Sequence, residues 1–219
     1  FDAARGAALA DAYARDGYAI VRGLFGADDI ARIAASVDDV HAEGLAYGRS
    51  FRHGNLFYNV GPASDGDLPA VRMVQWPSYH QPVLNAARTD PRIAAVLAPL
   101  IGGDLKQIIN QLHWKAKGPG ADFAWHQDSR FRKPDAAYRH LGESYVQTGL
   151  AIDPHTKESG ALRFVRGSHT RGTLNLDEDA EVLGREMADT ALTRVGLDTA
   201  DIVDLDMAPT LARRATVHS

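Results

Sequence analysis

Trp125-His126-Gln127-Asp128-Ser129 sets an imidazole and a carboxylate two positions apart. In extended backbone, side chains i and i+2 leave the same side, so His126 and Asp128 can grip one ion from one face. They are two of the three donors in the 2-His-1-carboxylate triad of non-heme Fe(II) sites. Alone, the H-x-D pattern is short enough to arise by chance, and a surface loop with a polar His and Asp is the competing reading. The flanking sequence decides between them.

The elements that must position this pair can be read in chain order. Residues 2–16 are rich in Ala, Leu and Arg and predict a helix ended by Gly17. Tyr18–Phe25 is β-rich and predicts a strand. From Ala27 to about Leu45, Ile30, Ile33, Ala34 and Val37 recur at helical spacing behind Asp28 and Asp29, a second helix. Arg49–Gly66 is aromatic and Gly-rich and fits a loop or short hairpin. Val83–Leu100 predicts helix with a restart at Asp90-Pro91, ended by Gly102-Gly103. Strands are expected over Leu105–Lys117, Tyr145–Ile152, Ala161–Val165 and Asp201–Met207, and a short helix over Asp177–Met187. No repeat, linker or low-complexity tract divides the chain, so residues 1–219 are expected to form one domain. Helices first and strands later predict an α+β layout with a β barrel or sandwich.

Composition narrows the function classes. The 219 residues are 45% hydrophobic and 24% charged, enough for a sizeable core. A net charge of -4 offers no basic field for a phosphate backbone, so nucleic acid is not an expected partner. With no cysteine, disulfide scaffolds and thiolate metal sites are excluded. No apolar run approaches the ~20 residues of a membrane helix, and no basic-then-apolar leader opens the sequence. A cytoplasmic protein is the expectation.

The wider constellation is more specific than the clamp. His113-Trp114-Lys115 precedes a Gly118-Pro119-Gly120 turn, and Trp125-His126-Gln127-Asp128 follows. Downstream stands Glu158-Ser159-Gly160-Ala161-Leu162-Arg163-Phe164-Val165-Arg166-Gly167-Ser168-His169. This order, with the Gly17–Phe25 segment near the start, resembles the phytanoyl-CoA dioxygenase family of Fe(II)/2-oxoglutarate oxygenases over nearly the whole chain. Arg166 stands where that family usually has proline. The resemblance implies a double-stranded β-helix, or jelly roll, with flanking N-terminal helices. It implies Fe(II) held by His126 and Asp128, 2-oxoglutarate as co-substrate, O2, and hydroxylation of a small molecule with release of succinate and CO2. Related halogenases carry a small residue in place of this carboxylate, so Asp128 favours hydroxylation.

The resemblance also implies a cation for the distal carboxylate of 2-oxoglutarate, and arginine's planar fork suits it. Arg213, in Ala212-Arg213-Arg214-Ala215, matches the family's arginine best, with Arg214 next. Gln111 and Arg72 match weaker co-substrate contacts; a strand amide and a solvated charge are their plain alternatives. Gln111, His113 and Lys115 alternate on one strand and can face the interior together. Arg130, Phe131 and Tyr138 can form a lid. His169 corresponds to a structural residue near the barrel mouth.

The third metal ligand departs from the family pattern. The arginine follows the distal histidine at a short interval, and counting that interval back from Arg213 lands near Ile202. No histidine lies between His169 and His218. Either His218 is the distal ligand, or a histidine-bearing segment belongs between Pro209 and Thr210; the abrupt join there favours the second. A protein with two ligands and no turnover is a third reading. Two other functions compete with the oxygenase: a zinc hydrolase or isomerase on a cupin-like barrel, and a barrel that binds without catalysis.

Overall fold

The structure, a computed structural model, describes residues 2–62, 69–115, 123–138, 140–176, 189–205 and 207. The first helix, α1 (Ala3–Asp16), starts where the Asp2 side chain accepts from Arg5 N at 2.9 Å and stops at Gly17, whose φ is 83°. Glycine enters that left-handed region without steric cost, which is why it ends helices. The long α2 (Ala27–Tyr47) buries one stripe, Ile30, Ile33, Ala34, Val37, Val40 and Gly44, as its spacing requires.

Four antiparallel strands follow in the order β1 (Phe51–His53), β2 (Leu56–Pro62), β3 (Pro69–Gln75) and β4 (Gln111–His113). Between β3 and β4 run α3 (Pro82–Arg88) and α4 (Pro91–Ile101), split as the Asp90-Pro91 restart predicts. The apolar stripe of α2 lies on one face of this sheet. Tyr58, Val60, Val71 and Val74 meet Ile33, Val37, Val40 and Leu84 there. Gly44 allows the approach, since a Cβ at that position would stand 2.7 Å from Val71 Cγ2.

A bulge keeps both ends of β3 in register with this core. Asn59 pairs with Met73, but the next residue, Val60, pairs with Val71. Arg72 is thus the extra residue, and Val71 and Val74 both turn to the buried face although they are three apart. The opposite face carries the pairs Met73–His113 and Gln75–Gln111.

A second antiparallel pair, β5 (Arg163–Val165) and β6 (Ile202–Asp204), packs Val165 against Leu192 and Leu197, with Trp125, Leu174 and Ile202 at its margin. Leu192 belongs to α6 (Thr190–Arg194); a one-turn helix, α5 (Leu141–Ser144), lies earlier. His155 and Met207 exchange two backbone hydrogen bonds of 2.9 Å. The fold is α+β with antiparallel sheets, as expected. Among the described residues the two sheets do not close into a barrel.

Several expected strands are shorter or absent. Tyr18–Phe25 is irregular, with Gly23 at φ 70°. Its apolar residues serve packing rather than pairing: Phe25 joins the α2 core and Tyr18 stacks on Phe164 at 5.7 Å. Within the described part of Leu105–Lys117, residues 105–115, the strand is confined to Gln111–His113. Tyr145–Ile152 forms no strand, although Tyr145 itself has extended dihedrals. The helix expected over Asp177–Met187 lies outside the described residues. No helix among the described residues is long and apolar enough to cross a membrane.

Candidate functional site

The clamp forms in extended backbone. Gln127 has φ -103° and ψ 131°, so its two neighbours project to the same side, and a 3-10 turn (Asp128–Phe131) begins at the second of them. His126 Nε2 stands 3.4 Å from Asp128 Oδ1. His126 Nδ1 lies 2.7 Å from the Ala124 carbonyl oxygen. A carbonyl only accepts, so Nδ1 carries a proton, and Nε2, on the Asp128 side, is the nitrogen that gains or loses one. Burial disfavours the imidazolium, but the Asp128 carboxylate and the Ala124 carbonyl outweigh it and raise the His126 pKa above its ordinary value. The pair therefore draws positive charge to the space between Nε2 and Oδ1.

That arrangement fits a divalent metal. Two donors each about 2 Å from an ion, seen from it at roughly a right angle, stand about 3 Å apart. The second-nitrogen bond to Ala124 is the kind that fixes the tautomer and ring orientation of metal-bound histidines. Asp128 is 39% exposed, so the front of the pair opens to solvent. The Phe131 ring meets the His126 ring edge-on at 5.6 Å and covers one side.

Gln127, between these two residues, and Trp125, just before them, act as anchors. Gln127 Nε2 donates to Gly172 O at 2.9 Å, and its Oε1 accepts from Leu174 N at 2.7 Å. Trp125 packs at the β5–β6 core, and its indole N–H donates to Asp189 Oδ1 at 3.2 Å. Arg163 reaches the same carboxylate at 3.3 Å, pairs with Asp204 at 3.3 Å, and lies 5.2 Å over the Trp125 ring. None of these partners is visible from spacing around H-x-D alone. The available signal was the extended chain at Gln127, which turns that amide away from the side shared by His126 and Asp128 and obliges it to find partners behind.

The other expected site residues divide. Gln111 sits on β4 opposite Gln75, on the sheet face turned away from α2. His113 shares that face and meets Phe123, at the start of the clamp segment, with ring centroids 5.7 Å apart. This contact links the sheet face to the clamp. Arg72 is the bulge residue; its guanidinium lies over Gly61 and donates to Pro62 O at 3.1 Å. Lys115 Nζ donates to Gly160 O at 2.6 Å and so holds the turn of the second motif. His169 Nε2 donates to Ala14 O at 3.0 Å and its ring lies on Gly17, a packing role. Arg213, Arg214 and His218 lie outside the described residues, and among the described residues no three His, Asp or Glu side chains gather about one ion.

The model of the phytanoyl-CoA dioxygenase family matches residues 13–209. The dioxygenase lolE1 of Epichloe uncinata is 26% identical over 203 residues, covering 89% of this chain and 72% of that protein. A probable alpha-ketoglutarate-dependent hypophosphite dioxygenase of Stutzerimonas stutzeri is 21% identical over 157 residues, 72% of this chain and 51% of its own length. An ectoine dioxygenase of Stutzerimonas stutzeri is 24% identical over 163 residues, 74% of this chain and 50% of its own. The chain thus spans about half the length of the last two. A match over nearly the whole chain, with the H-x-D clamp and the Gly-Ser-His turn inside it, establishes that the chain belongs to the phytanoyl-CoA dioxygenase family of Fe(II)/2-oxoglutarate oxygenases.

Proposed function

We propose that this chain is a single-domain Fe(II)/2-oxoglutarate-dependent dioxygenase that hydroxylates a small molecule. The observation that carries the reading is the His126–Asp128 pair, 3.4 Å apart with the imidazole tautomer set by Ala124. His126 Nε2 and Asp128 Oδ1 would hold the metal. Iron bound there with 2-oxoglutarate and O2 supplies oxidative decarboxylation to succinate and CO2, coupled to hydroxylation of a substrate C–H bond. The chain's own residues bind and orient. Arg213 would pair its planar fork with the distal carboxylate of 2-oxoglutarate. Gln111 and Arg72 would contribute weaker contacts from the sheet face that leads to the clamp. Phe131, half-exposed against the His126 ring, would shield the metal side from bulk water. The face bearing Gln111 and His113 would be the inner wall of a jelly roll, which the family membership supports. The third ligand would be a histidine beyond Pro209, from a further segment or at His218. The relatives named for ectoine and hypophosphite point to a small polar substrate.

Anaerobically purified protein incubated with Fe(II), 2-oxoglutarate and O2 is expected to release succinate, since turnover uncoupled from substrate reports the centre itself. His126→Ala is expected to abolish it. Tight zinc binding without succinate would replace this reading with a hydrolase or isomerase, and no metal binding would leave a binding barrel.

A further inference from the structure

We propose that Arg163 is a positioning residue for the metal clamp and acts on it through Trp125. The proposal rests on His126 and Asp128 being the metal ligands.

Gln127 is extended and turns His126 and Asp128 to one side, while Trp125, the residue before His126, packs at the β5–β6 core. Whatever fixes the indole therefore restrains the backbone from which the adjacent imidazole projects. Two contacts do so. Asp189 accepts the indole N–H at 3.2 Å, and the Arg163 guanidinium lies 5.2 Å over the ring. Arg163 also orients that aspartate: NH1 reaches Asp189 Oδ1 at 3.3 Å and NH2 reaches Oδ2 at 3.5 Å. On its other side, Arg163 Nε stands 3.3 Å from Asp204 Oδ1, across the β5–β6 register in which Arg163 and Asp204 are directly paired. One side chain thus joins both strands of the second sheet, the residue before α6 and the ring beside the metal ligand. Arginine suits the task because its flat fork can stack on an indole and bridge two carboxylates at once. Groups hydrogen-bonded directly to metal ligands change metal affinity by about 10–100-fold when removed, and Arg163, one residue further back, is expected at the low end of that range.

The test is Co(II) titration of the full chain by calorimetry under anaerobic conditions, with far-UV circular dichroism to confirm folding. Arg163→Met is expected to bind Co(II) about tenfold more weakly than the parent. Arg163→Lys keeps a cation between Asp189 and Asp204 but loses the flat fork, and is expected to recover part of that loss. Trp125→Phe removes the indole N–H and is expected to lose about as much as Arg163→Met. The decisive comparison is the double substitution. If Arg163 acts through Trp125, Arg163→Met costs less than about twofold once Trp125→Phe is present. Equal losses in both backgrounds would overturn the proposal, as would an Arg163→Met protein that binds as tightly as the parent. If Arg163→Met fails to fold, Arg163→Lys in the two backgrounds gives the same comparison. His126→Ala separates the two levels. Parent protein that takes up no Co(II), or takes it up equally with His126→Ala, sinks the ligand reading and this proposal with it. His126-dependent uptake that is indifferent to Arg163 sinks the positioning role alone.

Discussion

Gly17→Ala tests the contact by which the two ends of the family signature meet. Gly17 closes α1 with φ 83°, and the His169 ring of the Gly-Ser-His turn lies directly on it. A Cβ there would collide with His169 Nδ1 and stand 2.9 Å from its Cγ. Two costs follow. A left-handed conformation costs an alanine roughly 1 kcal/mol. The imidazole must also swing aside and give up its 3.0 Å hydrogen bond to Ala14 O, which at an exposed site is worth about 0.5–1 kcal/mol. The expected total is about 2 kcal/mol, or a Tm lowered by about 4–8 °C for a domain of this size. Adding His169→Ala removes the collision but leaves the backbone strain, so in that background Gly17→Ala is expected to cost only about 1 kcal/mol. Thermal unfolding of the four proteins measures the cycle. An unchanged Tm in Gly17→Ala, or an equal cost with and without His169, would refute the reasoning.

Gly44→Ala is expected to destabilise even though alanine favours helix by about 1 kcal/mol, because the new Cβ would meet buried Val71 and Tyr58 at 2.7 and 3.1 Å. A net loss of about 1 kcal/mol in urea unfolding, reduced by Val71→Ala, is the expected result; a more stable Gly44→Ala would contradict it. Asp90 caps α4 and pairs with Arg92 at 2.7 Å, and the Arg92 guanidinium holds its carboxyl down at about 2. A lowered pKa stabilises the fold above the unfolded value and loses that effect as pH falls through the folded one. The parent should therefore melt above Asp90→Asn at neutral pH, with the gap closing between about pH 4 and pH 2. A gap that widens on acidification would show the sign to be wrong.

How much of this was legible in the sequence depends on the range of the interactions involved. Both long helices were, because a stripe such as Ile30, Ile33, Val37 and a glycine stop are local signals. Strand identity was less so, because β-branched and aromatic residues mark burial as much as pairing: Tyr18–Phe25 has that composition and packs without pairing. The bulge at Arg72 is a matter of register against β2, which no property of β3 alone reveals. The same division runs through the site. His126 and Asp128 were readable because two positions in extended chain suffice to place them together. Their anchors were not, since Trp125 finds Asp189 64 residues away and Gln127 finds Leu174 47 residues away. Yet the extended chain that brings His126 and Asp128 forward also sends Gln127, between them, back into the fold, and Trp125 packs there as well. An indole and an amide placed there cannot go unpaired without cost. A short H-x-D motif in extended chain is therefore readable on both faces: its front offers a donor pair, and its back says that distant parts of the chain must hold it.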